Sequence, residues 1–295
     1  MKKILTVLAA GLLASAYAYS QDAAGVAMEF AARPTDPVSY AQGGTTAFYS
    51  AAVRLEDEKP GVTASLMFAP FKTKATKATD IGANVFLKTG RLAFGVSGFR
   101  ETGESMDIIN AQGQLDGTFK PSNTALGASV AFNMNHLLNI GLSVRYLENK
   151  LTSSAKLNTI SIDLMAAGGK AGFQYAAGIT NLGGKVKADD GSKYSIPSAA
   201  TVAGKYAYES GKHGIEGKLQ GDYFFKGGIR MGIGTQYSYD KKFFARAGYC
   251  YGGDTVLPKY FSLGAGVKLG GFSLDVAALF GDLSGTFIAG LTYRF

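Results

Sequence analysis

One pattern constrains this chain more than any other: apolar and polar residues alternate with period two, segment after segment, along most of its length. From Gly271 the sequence reads GFSLDVAALFG. Phe272, Leu274, Val276, Ala278 and Phe280 share one face, and Ser273, Asp275 and Ala277 share the other. In TFIAGLTYRF, Phe287, Ala289, Leu291, Tyr293 and Phe295 oppose Thr286, Gly290, Thr292 and Arg294. GIRMGIGTQYSYD and LNIGLSVRYLEN repeat the pattern, the second setting Leu138, Ile140, Leu142, Val144 and Tyr146 against Asn139, Ser143 and Arg145. Successive strand side chains point to opposite faces, so the pattern specifies strands with one apolar face.

Alternation fits two solvents. A soluble sandwich buries its apolar face, whereas a membrane barrel turns that face to lipid and its polar face to the lumen. Three features select the barrel. The polar face is rich in glycine and small residues rather than Lys and Glu. The segments run about 10–12 residues, enough for a tilted strand to cross the hydrocarbon. Tyr and Phe gather near segment ends, as in YSYD, YCYG and KYF. Strands are predicted near 62–71, 81–88, 91–100, 123–134, 138–149, 157–167, 171–180, 199–209, 213–225, 229–239, 243–251, 260–269, 272–280 and 286–295. The fold class is thus all-β: a transmembrane antiparallel β-barrel of about 14 strands over residues 61–295, an even number as such barrels require. Every second connection is short (89–90, 135–137, 168–170, 210–212, 240–242, 270–271), and most of the others are longer, notably 101–122, 181–198 and 252–259. Short periplasmic turns with long outer loops would leave both termini in the periplasm. The tight KGG at 226–228 is the exception on the outer side.

The first twenty residues, MKKILTVLAAGLLASAYAYS, read as a secretory signal peptide: two lysines, a short apolar run, then small residues. Cleavage is placed after Ser20, with Ala18 a near alternative. The expected location is the cell outer membrane. The lone cysteine, Cys250, excludes an internal disulfide. The formal charge of +8 falls to about +6 without Lys2 and Lys3. The remaining charges are dispersed along an exported chain, which argues against nucleic acid.

Catalysis needs a nucleophile, a base and an orienting group. His136 and His213 both fall in or beside predicted turns with no serine–acid partnership at hand, and one cysteine with two scattered histidines makes no metal set. Asp189–Asp190 in KADDGSK reads as a solvated turn in preference to a calcium loop. The expectation is a non-enzyme with no catalytic, metal or cofactor site.

Residues 21–60 lack alternation and carry Pro and Gly that break regular structure. They are read as a plug or as a disordered periplasmic lead. The predicted inward faces carry both signs of charge: Arg145, Lys218, Arg230, Arg246, Lys268 and Arg294 with Asp163, Glu216, Asp222 and Asp275. Such charges would bridge the lumen or bind a plug, in place of a wide water-filled pore.

Two resemblances add to this reading. The final GLTYRF resembles the C-terminal assembly signal of outer-membrane proteins, with Gly290, Tyr293 and the terminal Phe295 in its positions and Ile288 where a polar residue is usual. That implies recognition by the barrel-assembly machinery, besides contact with outer-membrane lipid. Residues 29–53 with Gly43–Gly44, residues 176–208 with Asn181-Leu182-Gly183, Ile196–Pro197, Gly204 and Tyr206, and residues 261–280 with Asp275 resemble the PorV/PorQ branch of the FadL-like outer-membrane proteins. In FadL-like barrels the N-terminal segment folds inside as a plug. The resemblance implies one of two functions. The first is a non-catalytic accessory or cargo-docking subunit of an envelope machine, type IX secretion or another, with outer-membrane or periplasmic protein partners engaged through loops 101–122, 181–198 and 252–259. The second is a passive transporter of hydrophobic small molecules, which requires an apolar lumen patch. Assignable inward residues are mostly charged or small, with Phe99, Leu147 and Phe224 as exceptions, and this favours the accessory subunit.

Overall fold

The structure is a computed structural model that describes residues 26–57, 60–72, 77–109, 114–135, 137–150, 152, 156–187, 191–252, 259–281 and 285–295. The signal peptide, His136 and Asp189–Asp190 lie outside the described residues.

Fourteen antiparallel strands close into one barrel. They are β1 Gly61–Lys72, β2 Lys77–Thr89, β3 Leu92–Gly103, β4 Ser122–Asn135, β5 Leu138–Lys150, β6 Lys156–Lys170 and β7 Phe173–Gly183, followed by β8 Ala199–Ser210, β9 His213–Phe224, β10 Gly228–Tyr239, β11 Phe243–Gly252, β12 Tyr260–Leu269, β13 Phe272–Gly281 and β14 Thr286–Arg294. Each strand overlaps a predicted one. Each pairs with its sequence neighbours, and β1 pairs with β14 from Thr63↔Arg294 to Phe68↔Ala289, so no edge remains. The Phe295 amide donates to the Val62 carbonyl at 3.0 Å and extends this seam.

Exposure follows the inverted pattern. In β14, Phe287 is 67% exposed and its neighbour Ile288 is 1% exposed. In β13, Phe272, Leu274, Val276 and Phe280 are exposed while Asp275, Ala277 and Leu279 are buried. An apolar outer surface around a filled interior is the arrangement lipid favours, because water cannot satisfy anything on that face. Two small hairpins decorate the longer connections: Met106–Ile109 with Leu115–Phe119, and Val186–Lys187 with Lys193–Tyr194.

The N-terminal segment runs inside the ring. It contains a 3-10 turn at Glu29–Ala32, helix α1 at Pro37–Ala41, a second 3-10 turn at Thr46–Tyr49, and helix α2 at Ala51–Asp57. Asp36 caps α1, accepting from the Ser39 amide at 2.7 Å, and Pro37 follows where a missing N–H costs nothing. Helix α1 packs on β11–β14, the Thr46–Tyr49 turn on β7 and β8, and α2 on β3–β6. Contacts on opposite walls place the segment in the lumen. Val26 bridges to Ser195 in the β7–β8 connection, whereas α2 leads back to Gly61 at the end with the short turns. Val26 and Phe295 thus lie toward opposite ends of the barrel, and the N-terminus itself lies outside the described residues.

Candidate functional site within the barrel

Glycines on the inner wall let the segment lie close. A Cβ on Gly248 would sit 2.2 Å from the Gly43 amide nitrogen, and one on Gly234 would sit 2.5 Å from the Gln42 Cβ. Backbone against backbone at this range leaves no room for a side chain.

Polar side chains from the wall then hold the segment's carbonyls and amides. Arg230 donates to the Ala32 carbonyl at 2.8 Å and to Asp222 at 2.7 Å, and Asp222 also accepts from Thr201 and Gln220. Arg145 donates to the neighbouring carbonyl of Ala31 at 3.1 Å, to Asp163 at 3.1 Å and to Asn181. Gln220 accepts from the Ala47 amide at 2.9 Å. Lys218 donates to Gln42 at 2.8 Å and lies 3.1 Å from Glu216, with Lys205 on the far side of that carboxylate at 3.8 Å. Arg246 pairs with Asp275 at 2.7 Å, and Arg33 of the segment pairs with Glu101. Burial pushes the Asp36 carboxyl above its usual range, against the Ser39 amide bond that lowers it.

Eight of the ten predicted inward charges therefore stand in wall-to-wall or wall-to-segment contacts. Lys268 is exposed near the β12–β13 turn, and Arg294 is half-buried near the β1–β14 seam. As inward polar groups, Lys205, Gln220, Asn181 and the Arg33–Asp80–Glu101 group were not read from the sequence, which gives Asn181 only as part of a motif. Their strand parity was available, but their partners come from the segment's path. His213 donates to or accepts from Tyr237 at 2.7 Å on the outer surface.

The inner wall is more apolar than the sequence reading held. Beside Phe99, Leu147 and Phe224, it buries Met67, Phe71, Phe86, Met165, Leu279 and Ile288. Met28, Phe30, Phe99, Leu147, Leu157, Val186 and Ile196 join an apolar layer at the end with the long connections, continuous with Tyr40, Phe71 and Tyr260. Phe30 stacks on Phe99 at 6.2 Å, and Tyr40 meets Phe71 at 5.7 Å. Val186 in the second hairpin and Ile196 just beyond it are buried in this layer. In the sequence their segment reads only as a loop.

Below that layer, between the segment and strands β2–β8, lies a cavity of about 220 Å³. A larger recess of about 790 Å³ is on the outside, where Gly204, Gly217, Thr235 and Ala247 leave a hollow among Tyr206, Ile233, Tyr249 and Phe261. It belongs to the lipid-facing surface.

A closed β-barrel of fourteen strands that holds its own N-terminal segment is an outer-membrane architecture. The chain is similar in fold to the toluene transporter TbuX of Ralstonia pickettii, with a TM-score of 0.62 at 16% identity over 90% of this chain and 100% of that one. It is similar to the toluene transporter TodX of P. putida, with a TM-score of 0.62 at 11% identity over 90% and 99% of the two chains. It is also similar to the monoaromatic hydrocarbon channel CymD, at 0.59 and 12% identity over 88% and 97%. No protein-family model and no curated protein matches the sequence. At these identities the shared property is the fold alone, and the PorV/PorQ branch gains no support from it.

Proposed function

We propose that this protein is a passive outer-membrane channel for small hydrophobic molecules, with residues 26–57 as the plug of its lumen. The observation that carries this reading is the apolar layer around Phe30, Phe99 and Leu147, continuous with the cavity beneath it. An accessory subunit has no need of an apolar passage, and the charged inner residues that favoured that role hold the segment instead. The described solutes of the fold neighbours, toluene and monoaromatic hydrocarbons, point the same way. The exposed apolar belt supports a position in the outer membrane, and in this reading the short turns and Phe295 face the periplasm. Gly290, Tyr293 and Phe295 serve as its signal to the assembly machinery; Tyr293 packs on Phe272 at 4.4 Å and on Phe295 at 4.6 Å, which fixes the rings at the seam.

Purification of the tagged full chain from outer membranes in mild detergent, followed by mass spectrometry, tests this reading. The expected product is a lone barrel. Stoichiometric recovery of a translocon or assembly subunit contradicts it and restores the accessory role.

A further inference from the structure

The cavity is not lined like a hydrocarbon site. Its wall is crossed by a polar band made of two neighbouring rungs. In one, Asn84 pairs in register with Ser97, Ser97 with Gly127, and Gly127 with Arg145. In the next, Gly95 pairs with Ser129, Ser129 with Ser143, and Ser143 with Asp163. Phe86 closes the second rung at one end, and the Phe99–Ala125–Leu147 rung lies on the other side of the band.

Two buried polar atoms in the cavity lining have no hydrogen-bond partner among the described residues: the Nε–H of Arg145 and the hydroxyl of Ser50. A buried donor left unpaired is unfavourable. Ser50 belongs to the segment and Arg145 to the wall, so the lining carries one such buried polar group from each.

Volume fixes the size of what fits. A cavity of roughly 150 Å³ accepts benzene, so about 220 Å³ has room for one ring with one or two small substituents. We infer that the lumen cavity is a binding site for a single-ring compound bearing a hydroxyl group, a phenol, held by its oxygen at the Ser97–Ser129–Ser143 band and Arg145 and by its ring against Phe86 and Phe99. This rests on the channel reading and narrows it. A site that hydrogen-bonds a hydroxyl discriminates against the analogue that lacks it, whose arrival leaves buried polar groups unpaired.

The experiment is calorimetric titration of the full-length barrel in detergent with phenol and with toluene, on the native chain and on Ser129→Ala. The inference predicts that phenol binds at least about tenfold more tightly than toluene, as one or two extra hydrogen bonds would give, and that Ser129→Ala cuts this ratio severalfold while leaving toluene unchanged. Equal binding, or tighter toluene, overturns the inference and leaves the channel reading standing; water then satisfies Arg145 and Ser50. A phenol preference that Ser129→Ala does not touch overturns the placement at the band. Failure of both compounds to bind overturns the inference and the channel reading together. Comparing the two ligands on the native chain needs no variant to fold.

Discussion

Arg230 and Asp222 face each other across adjacent strands at 2.7 Å, and the same guanidinium reaches beyond the carboxylate to the carbonyl of Ala32. The pair is nearly dry, with side chains 5% and 2% exposed. One wall contact therefore does two jobs: it neutralises a buried carboxylate and fastens the N-terminal segment. Arg230→Met strips Asp222 of its counter-charge and releases Ala32. Loss of one partner of a buried pair costs about 3–5 kcal/mol. The expected readouts are a lower urea midpoint in lipid vesicles and a raised single-channel conductance in planar bilayers. Native conductance in this variant would show that the segment is held by other contacts.

Glu216 is a second such point. It stands between Lys218 at 3.1 Å and Lys205 at 3.8 Å, and it also accepts from Gln42 at 3.3 Å. Glu216→Gln leaves two ammonium groups near each other beside the Phe48 ring. A destabilisation of about 3 kcal/mol is expected, seen as a lower temperature at which the folded band converts to the unfolded band on a gel. The double variant Glu216→Gln, Lys205→Met should recover most of it.

Close backbone approach makes its own prediction. Gly248→Ala would drive a methyl into the Gln42–Gly43 backbone, whereas a Cβ on Gly217, on the outer face, meets nothing within 4 Å. The first should destabilise by about 1–3 kcal/mol and expose the segment to protease added to the purified barrel. The second should stay within about 0.5 kcal/mol of the native chain.

The apolar outer face is tested by charge. Val276 on β13 is exposed and its neighbour Ala277 is buried. Val276→Arg should cost about 2–4 kcal/mol in a lipid-vesicle folding titration if the strand crosses the bilayer. In a soluble barrel the same substitution would be nearly free.

Much of this architecture is legible in the sequence because its signal is local. Strand parity is set by neighbouring residues, so all fourteen strands and the inward side of Arg145, Asp222, Arg230 and Asp275 follow from alternation. The ends of the strands drift by up to four residues, as at β2, which begins at Lys77 rather than 81, because pairing with β1 continues past the alternating stretch. What alternation could not reveal depends on the path of residues 26–57. No periodicity says that Gln42 meets Lys218, or that Ala31 and Ala32 offer successive carbonyls to Arg145 and Arg230. The inward apolar residues were undercounted for the same reason. Met67, Phe86 and Leu279 lie on polar-parity positions that face in, and apolar side chains suit those positions because apolar residues of the segment pack against them. That undercount tilted the functional reading toward the accessory subunit.

Transport is the most direct test. Cells expressing the chain and a strain lacking it would be compared for initial uptake of a radiolabelled single-ring compound across the outer membrane. The account predicts faster uptake with the chain present, abolished when the lumen is filled by Ser143→Trp. Equal initial rates with and without the chain would contradict it.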